Sequence, residues 1–198
     1  MTSNLARATL PAMQPVTQNI CYLLWREKVE RAKWVTQLAQ WAGCNLARAE
    51  TLLRNAELRK DEQECVAAAL GVTEEDLLFA HLLEDSGTDI LRENIGYLLD
   101  TLDHGQKKMF AADLEVHGTT VSRWRSGLQV PERSKLVAIC HYFRLPAGTD
   151  LATEPIFLSP LPISEAERKA WLHRHIEEMD ARTLSELFSA LQRLLGGE

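Results

Sequence analysis

The sequence lacks the features that mark membrane proteins and disulfide-stabilised secreted proteins. No run of about 18 apolar residues is present, so we expect no membrane-spanning helix. No secretory signal pattern is recognised near the N-terminus, which favours a cytoplasmic protein. The cysteines form no Cys-x-x-Cys pair and are too sparse for a disulfide framework, so we expect small buried thiols in a reduced protein. They are Cys21, Cys44, Cys65 and Cys140.

Signatures of catalysis and of metal binding are also missing. The chain has no Gly-rich phosphate loop, no His-Glu-x-x-His motif and no Gly-x-Ser-x-Gly motif. His173 and His175 are two residues apart on a predicted helix, hence on nearly opposite faces, which does not suit a shared metal ion. We therefore expect that the protein is not an enzyme and has no catalytic residue, cofactor or metal.

Sustained alternation of apolar and polar residues, the pattern of β-strands, is absent. Apolar residues recur instead at spacings of three and four, as in Leu91, Ile95, Leu98 and Leu102. The sequence therefore predicts an all-α fold.

Two segments of the chain resemble each other. Residues 19–24 read NICYLL and residues 94–99 read NIGYLL, and each opens a series of short predicted helices of similar layout. The separation of about 75 residues is too long for a solenoid repeat and indicates a duplicated small domain. We place the first copy at 18–85 and the second at 88–152.

Three further segments flank the copies. Two prolines in residues 1–17 predict a flexible arm, and a Pro-rich stretch at 153–163 predicts an extended linker. Residues 164–198 predict two short helices that we assign to dimerisation. The second helix carries an apolar stripe that needs a partner, formed by Leu184, Leu187, Phe188, Leu191, Leu194 and Leu195.

The second copy has the pattern of a DNA-binding helix-turn-helix (HTH). Its residues Phe110-Ala111, Val121-Ser122-Arg123-Trp124, Gly127 and Pro131, with the closing LVAICHYFRL, closely resemble the Cro/C1-type (XRE) family. The resemblance covers about 55–60 residues and implies a five-helix λ-repressor-like domain whose third helix enters the DNA major groove. Two such domains in tandem, followed by the C-terminal helical pair, form the expected architecture.

The resemblance also implies which side chains meet DNA. The candidate DNA-binding residues are Lys107, Lys108, His117, Gly118, Thr119, Thr120, Ser122 and Arg123. Arginine can bond guanine bidentately, and threonine can contact the thymine methyl group. Gly118 departs from the family's polar reader at its position, so direct readout rests on fewer side chains.

Local charge supports this interpretation. Residues 105–145 hold seven Lys or Arg and three Asp or Glu, in a chain whose net charge is −6. A basic region within an acidic chain is expected where one face meets phosphate. The alternative is a solvated face of mixed charge.

Three residues of the second copy are expected to act structurally. The family commonly pairs an Arg of the first helix with a Glu after the Trp position of the third helix, and this chain has Asp100 and Arg125 there. The swapped charges predict a partly buried Asp100–Arg125 salt bridge, costly to break, beside a core Trp124. Arg125 would then position the third helix without reading bases.

The sequence of the first copy predicts an HTH-like domain with few side chains suited to contact DNA bases. Its third helix would begin Asn45-Leu46-Ala47, and residues 33–73 contain five basic and five acidic residues. Trp25, Trp34 and Trp41 would lie in its core or form a partner surface. We expect a scaffold or dimerisation role, in which Arg48 could still touch phosphate.

Two hypotheses about function follow. The first is a sequence-specific transcriptional regulator, a repressor, that binds double-stranded DNA at an inverted repeat as a homodimer. The second is a tandem-HTH protein-interaction adaptor, antitoxin-like or effector-associated, without sequence-specific DNA binding. A regulator should lose DNA affinity steeply as salt rises, whereas an adaptor should ignore DNA.

Overall fold

The computed structural model describes residues 14–54, 57–160 and 165–196, and this part of the chain is helical without a strand. The all-α prediction is therefore confirmed. Twelve α-helices are present there: α1 Pro15–Arg26, α2 Trp34–Ala42, α3 Leu46–Leu53, α4 Lys60–Leu70, α5 Glu74–Phe79, α6 Leu82–Asp85, α7 Ile90–Asp100, α8 His104–Asp113, α9 Gly118–Arg125, α10 Arg133–Tyr142, α11 Glu165–Glu178 and α12 Ala181–Gly196. Short 3-10 helices lie at Arg31–Lys33 and Ile156–Leu158. No helix in these ranges is long and apolar enough to cross a membrane.

The flexible arm predicted for residues 1–17 is wrong at its C-terminal end. Pro15 is the first residue of α1, where a proline lacks only an amide that would be unpaired anyway. Val16 and Thr17 are buried. Residues 1–13 lie outside the described part of the chain.

Residues 1–160 form one compact unit and residues 161–198 a second. The two sequence copies thus belong to the same unit. The first copy packs α1 at its centre, where Ile20, Cys21, Leu23 and Leu24 are at most 1% exposed. Its cluster also includes Phe157 and Leu158, which follow the second copy in the chain.

The second copy has an aromatic centre. The Phe110 ring of α8 lies 5.0 Å from the Tyr142 ring and 5.7 Å from the Phe143 ring, centroid to centroid. The edge-to-face geometry with Tyr142 is one that aromatic pairs favour. Val121 and Trp124 of α9 are also buried, so the inner face of α9 belongs to the core.

The repeated Asn-Ile motif has a structural cause. The Asn19 amide of α1 donates to the carbonyls of Asp76, Leu77 and Ala80, at 2.8–3.2 Å. In the second copy, the Asn94 amide of α7 donates to the carbonyls of Leu151 (2.8 Å) and Glu154 (2.7 Å). Each asparagine is almost fully buried and satisfies backbone carbonyls at the end of its own copy.

After equivalent helices of the two copies, the backbone reverses direction through a residue with positive φ. Gly43 after α2 and Glu115 after α8 both have positive φ, of 61° and 53°. Gly71 after α4 and Arg144 after α10 repeat this, at 64° and 51°. The copies therefore share their chain reversals, although only the first uses glycine to relieve the left-handed conformation.

The extended linker predicted for 153–163 is wrong as far as residue 160. Residues 151–160, here called the strap, carry the 3-10 helix at Ile156–Leu158, whose three side chains are at most 3% exposed. The Phe157 amide donates to Asn94 Oδ1 at 3.0 Å, and the Phe157 ring lies 5.0 Å from the Trp25 ring. Apolar side chains between the prolines supply burial that outweighs the proline signal. Residues 161–164 lie outside the described part.

Arg31 joins the strap to both copies. Its guanidinium donates to the carbonyls of Phe157 and Ser159. Its Cζ lies 4.9 Å from the Trp34 ring centroid and 4.2 Å from that of Tyr97 on α7. A guanidinium stacked on aromatic rings keeps its in-plane donors for carbonyl oxygens, so one residue links three elements.

The prediction of four buried cysteines is wrong for Cys65, which is exposed, while Cys44 and Cys140 are half-buried. The inner face of α4 is formed by Glu62, Val66 and Leu70, and Cys65 falls beside it. Cys21 is fully buried, and burial raises the pKa of its thiol to about 12.

In the second unit, α11 ends at Glu178 and α12 begins at Ala181. The Asp180 carboxylate accepts the amides of Arg182 (2.9 Å) and Thr183 (2.8 Å), and these bonds lower its pKa. Asp180 therefore caps the start of α12.

Replacing Asn94 with Ala should destabilise the first unit by about 3 kcal/mol, because two strap carbonyls and the Phe157 amide would be buried without partners. Urea unfolding measures this. Asn45→Ala is the matched control, since Asn45 is exposed and its side chain only caps α3, and it should cost about 1 kcal/mol. Equal losses in the two variants would contradict the role of Asn94.

Candidate nucleic-acid interface

The recognition-helix candidate α9 begins at a capped N-terminus. His117 is the N-cap, and its Nδ1 accepts the Thr119 amide at 3.3 Å and lies 2.9 Å from Thr119 Oγ1. Burial of Val121 and Trp124 turns the opposite face of α9 outward. The first turn of this short helix is therefore accessible to a binding partner.

Helix α8 presents cations beside this turn. Asp103 and Gln106 form a reciprocal capping box at 2.8 and 3.0 Å that fixes the start of α8. Phe110 and Ala111 are buried. Lys108 and Lys107, three and four positions before Ala111, lie on the same helix face one turn nearer the start of α8, where Lys108 is exposed and Lys107 is half-buried.

A surface groove of about 440 Å³ lies between α8 and the start of α9. Its apolar wall includes Leu99, Ala111 and Val121. Its polar lining is cationic or neutral, and consists of His104, Lys107, Lys108, His117, Ser122 and Arg125. No carboxylate lines it, so the groove suits an anionic partner.

The structure therefore brings together five of the predicted DNA-binding residues around one groove. These are Lys107, Lys108, His117, Gly118 and Ser122. Thr119 and Arg123 are exposed outside the groove lining, and Thr120 is half-buried. Ser122 Oγ already donates to the Gly118 carbonyl at 3.2 Å, which occupies its hydroxyl proton.

His104, the first residue of α8, also lines the groove, although it was not among the predicted residues. The signal was present, since His104, Lys107 and Lys108 have the i, i+3, i+4 spacing of one helix face.

The Asp100–Arg125 salt bridge predicted from the sequence is present. Arg125 Nη2 lies 2.7 Å from Asp100 Oδ1 and 3.0 Å from Oδ2, and the bridge joins α7 to the last turn of α9. The two side chains are 50% and 56% exposed, so the expectation of a partly buried, costly pair is wrong. Solvent screening reduces such a pair to less than about 1 kcal/mol.

The buried residue Trp124 anchors α9 more firmly than this surface pair. Its side chain is only 3% exposed, and its indole Nε1 finds no hydrogen-bond partner in the described residues. Gly127 ends the helix with φ 73°, and a Cβ there would lie 3.3 Å from Arg92 Cδ. A larger residue would be strained by both the backbone and the space.

The corresponding surface of the first copy is closed by an ion pair. Arg48 of α3 donates through Nε and Nη2 to Glu62 of α4, at 2.9 and 2.8 Å, and through Nη2 to the Glu57 carbonyl. Glu62 is 2% exposed, and its bonds to Arg48 and to the Arg59 amide lower its carboxyl pKa. The Arg48 guanidinium is therefore held within the first copy, which disfavours the phosphate contact expected for it. Leu46, 53% exposed, begins α3 in place of a polar reader.

Replacing Asp100 with Ala should lower stability by about 0.5 kcal/mol, because the lost pair is half-exposed. The melting temperature should fall by about 1–2 °C at low salt, and by less at high salt. A double-mutant cycle with Arg125→Ala isolates the pair. A coupling energy of several kcal/mol would show that the screening argument is wrong.

Comparison with models of known protein families finds no match to this chain, and comparisons with characterised proteins and with solved structures find none either.

Proposed function

We propose that the protein is a sequence-specific DNA-binding transcriptional regulator with two tandem λ-repressor-like HTH copies of Cro/C1 type, the second of which reads DNA. One observation carries this proposal: the groove beside the first turn of α9 has a cationic lining without a carboxylate. Lys107, Lys108 and Arg123 form no ion pair with another described residue, so their charges remain available to phosphate.

The dimensions agree with insertion of α9 into DNA. An α-helix with its side chains is about 10–12 Å in diameter, and the B-DNA major groove is about 12 Å wide. With α9 in the groove, Thr119 and Arg123 would face base edges, while Lys107 and Lys108 on α8 would face the phosphates. Arg125, held by Asp100, would orient the helix.

The first copy would serve as a scaffold. Arg48 is the only arginine in the first turn of α3, and its ion pair with Glu62 makes it less available to DNA phosphates. A homodimer would place two copies of α9 on an inverted repeat, with half-site centres about one helical turn apart. Such a regulator would act as a repressor in the cytoplasm.

A gel shift with the DNA that flanks the protein's own gene, at two salt concentrations, tests this function. Arg123→Ala should weaken specific binding by about 1–3 kcal/mol and relax specificity at one base pair. Lys107→Ala should weaken binding to all sequences alike and reduce the salt slope by about 1.

The matched control is Lys60→Ala, which removes one exposed positive charge at the start of α4 in the first copy. It should leave the shift unchanged. If no DNA shifts at low salt, including a random duplex pool, the regulator is excluded and the adaptor hypothesis takes its place.

Gly118 offers a second test, because a Cβ at this position meets no atom within 4 Å and its φ is not positive. Gly118→Leu should therefore fold normally, with an unchanged or slightly higher melting temperature. If DNA approaches the first turn of α9 closely, the leucine should reduce DNA affinity at least tenfold. Unchanged DNA affinity in a folded Gly118→Leu protein would show that DNA does not approach the first turn of α9.

A further inference from the structure

Helix α12 carries an apolar face that its own unit leaves partly exposed. Leu184, Phe188 and Leu191 are 40%, 59% and 40% exposed. Among the residues of α12 whose side chains the structure describes, none is buried. A helix with this much apolar surface in water requires a partner.

The sequence of α12 indicates what shape of partner fits. Leu184, Leu187 and Phe188 recur seven residues later as Leu191, Leu194 and Leu195. A seven-residue repeat of large apolar side chains is the pattern with which one helix packs against another, knobs into holes. The partner of this face is therefore a helix.

The size of the second unit limits how it can be stabilised. Residues 161–198 are fewer than the about 40 below which a domain usually needs disulfides, a metal or oligomerisation. The segment contains no cysteine. Its described residues contribute to no cluster of side chains that could hold a metal ion. Of these three routes, oligomerisation is the one that the apolar face of α12 supports.

The charges on α12 allow the partner helix to be identical to α12 itself. The face opposite the apolar residues has both signs, with Arg182 Nε 3.2 Å from Glu186 Oε1. Residues 181–196 contain two arginines and one glutamate, so two copies of α12 would repel each other little. An identical helix also presents the same heptad register, as a two-fold interface requires.

We propose that the apolar face of α12 is a self-association surface, and that its occupant is α12 of a second copy of this chain. The two helices pair along Leu184, Leu187, Phe188 and Leu191. The proposal does not depend on DNA binding by the second HTH-like copy, since the surface lies in the other unit.

The test is the mass of the full chain in solution, measured by light scattering after gel filtration at low and high micromolar concentrations without DNA. The wild-type protein should have twice the mass of one chain. Phe188→Glu and Leu191→Glu, each placing a charge on the apolar face, should raise the dimer dissociation constant by on the order of 30-fold or more. Circular dichroism checks that the variants keep their helices.

The control is Ser189→Glu, which adds the same charge to an exposed position on the opposite face of α12 and should remain a dimer. A wild-type protein that is monomeric at high concentration overturns the proposal. Dimers retained by both apolar-face variants, or lost equally in Ser189→Glu, also overturn it. A chain that dimerises but shifts no DNA would refute the proposed function alone.

Discussion

The structure depends on the buried amide of Asn94. Its two N–H groups and its oxygen are all bonded to the strap, through the carbonyls of Leu151 and Glu154 and the amide of Phe157. These backbone groups are sequestered from water, so each would cost free energy without its partner. The bonds place Phe157 against Trp25 and bring the Phe157 and Ser159 carbonyls to Arg31. Through these contacts the strap joins the core of the first copy to α7 of the second copy, and α7 pairs with α9 through Asp100.

The copies share their inner framework but differ on the outer face of the third helix. Asn19 and Asn94 repeat the same interaction, and both copies reverse direction through a left-handed residue after the second helix. In the first copy, Arg48 is held by a nearly buried Glu62. In the second copy, Lys135 of α10 donates to the Leu114 carbonyl at 2.7 Å, and the cations of α8 stay outside the core. The two copies are therefore alike in their buried contacts and differ in the charge of their solvent-facing positions.

Much of this could be predicted because periodicity and turn residues act locally. The all-α fold follows from apolar spacings. The Asp100–Arg125 contact was predicted from the resemblance to the Cro/C1-type family, whose members commonly pair these two positions. The errors have physical reasons. Pro15 is compatible with a helix start, although proline was interpreted as breaking the arm. The strap was predicted to be a linker because its prolines were taken as the stronger signal than its Ile-Phe-Leu sequence. These apolar side chains are buried, and Phe157 packs against Trp25, more than a hundred positions earlier in the chain.

The sequence by itself determined the helices, the repeated Asn-Ile segment, the charge asymmetry between the two segments that follow it and the amphipathic pattern of α12. These properties reside in residue types and short spacings, which local backbone geometry converts directly into faces and ends. Only the tertiary structure decided that Arg48 is consumed by Glu62, that Asp100 and Arg125 are half-exposed, that His104 joins the cationic groove, and that the strap unites both copies. The reason is that burial and the pairing of charges depend on which distant segments meet, and the free energy of a contact depends on the solvent around it.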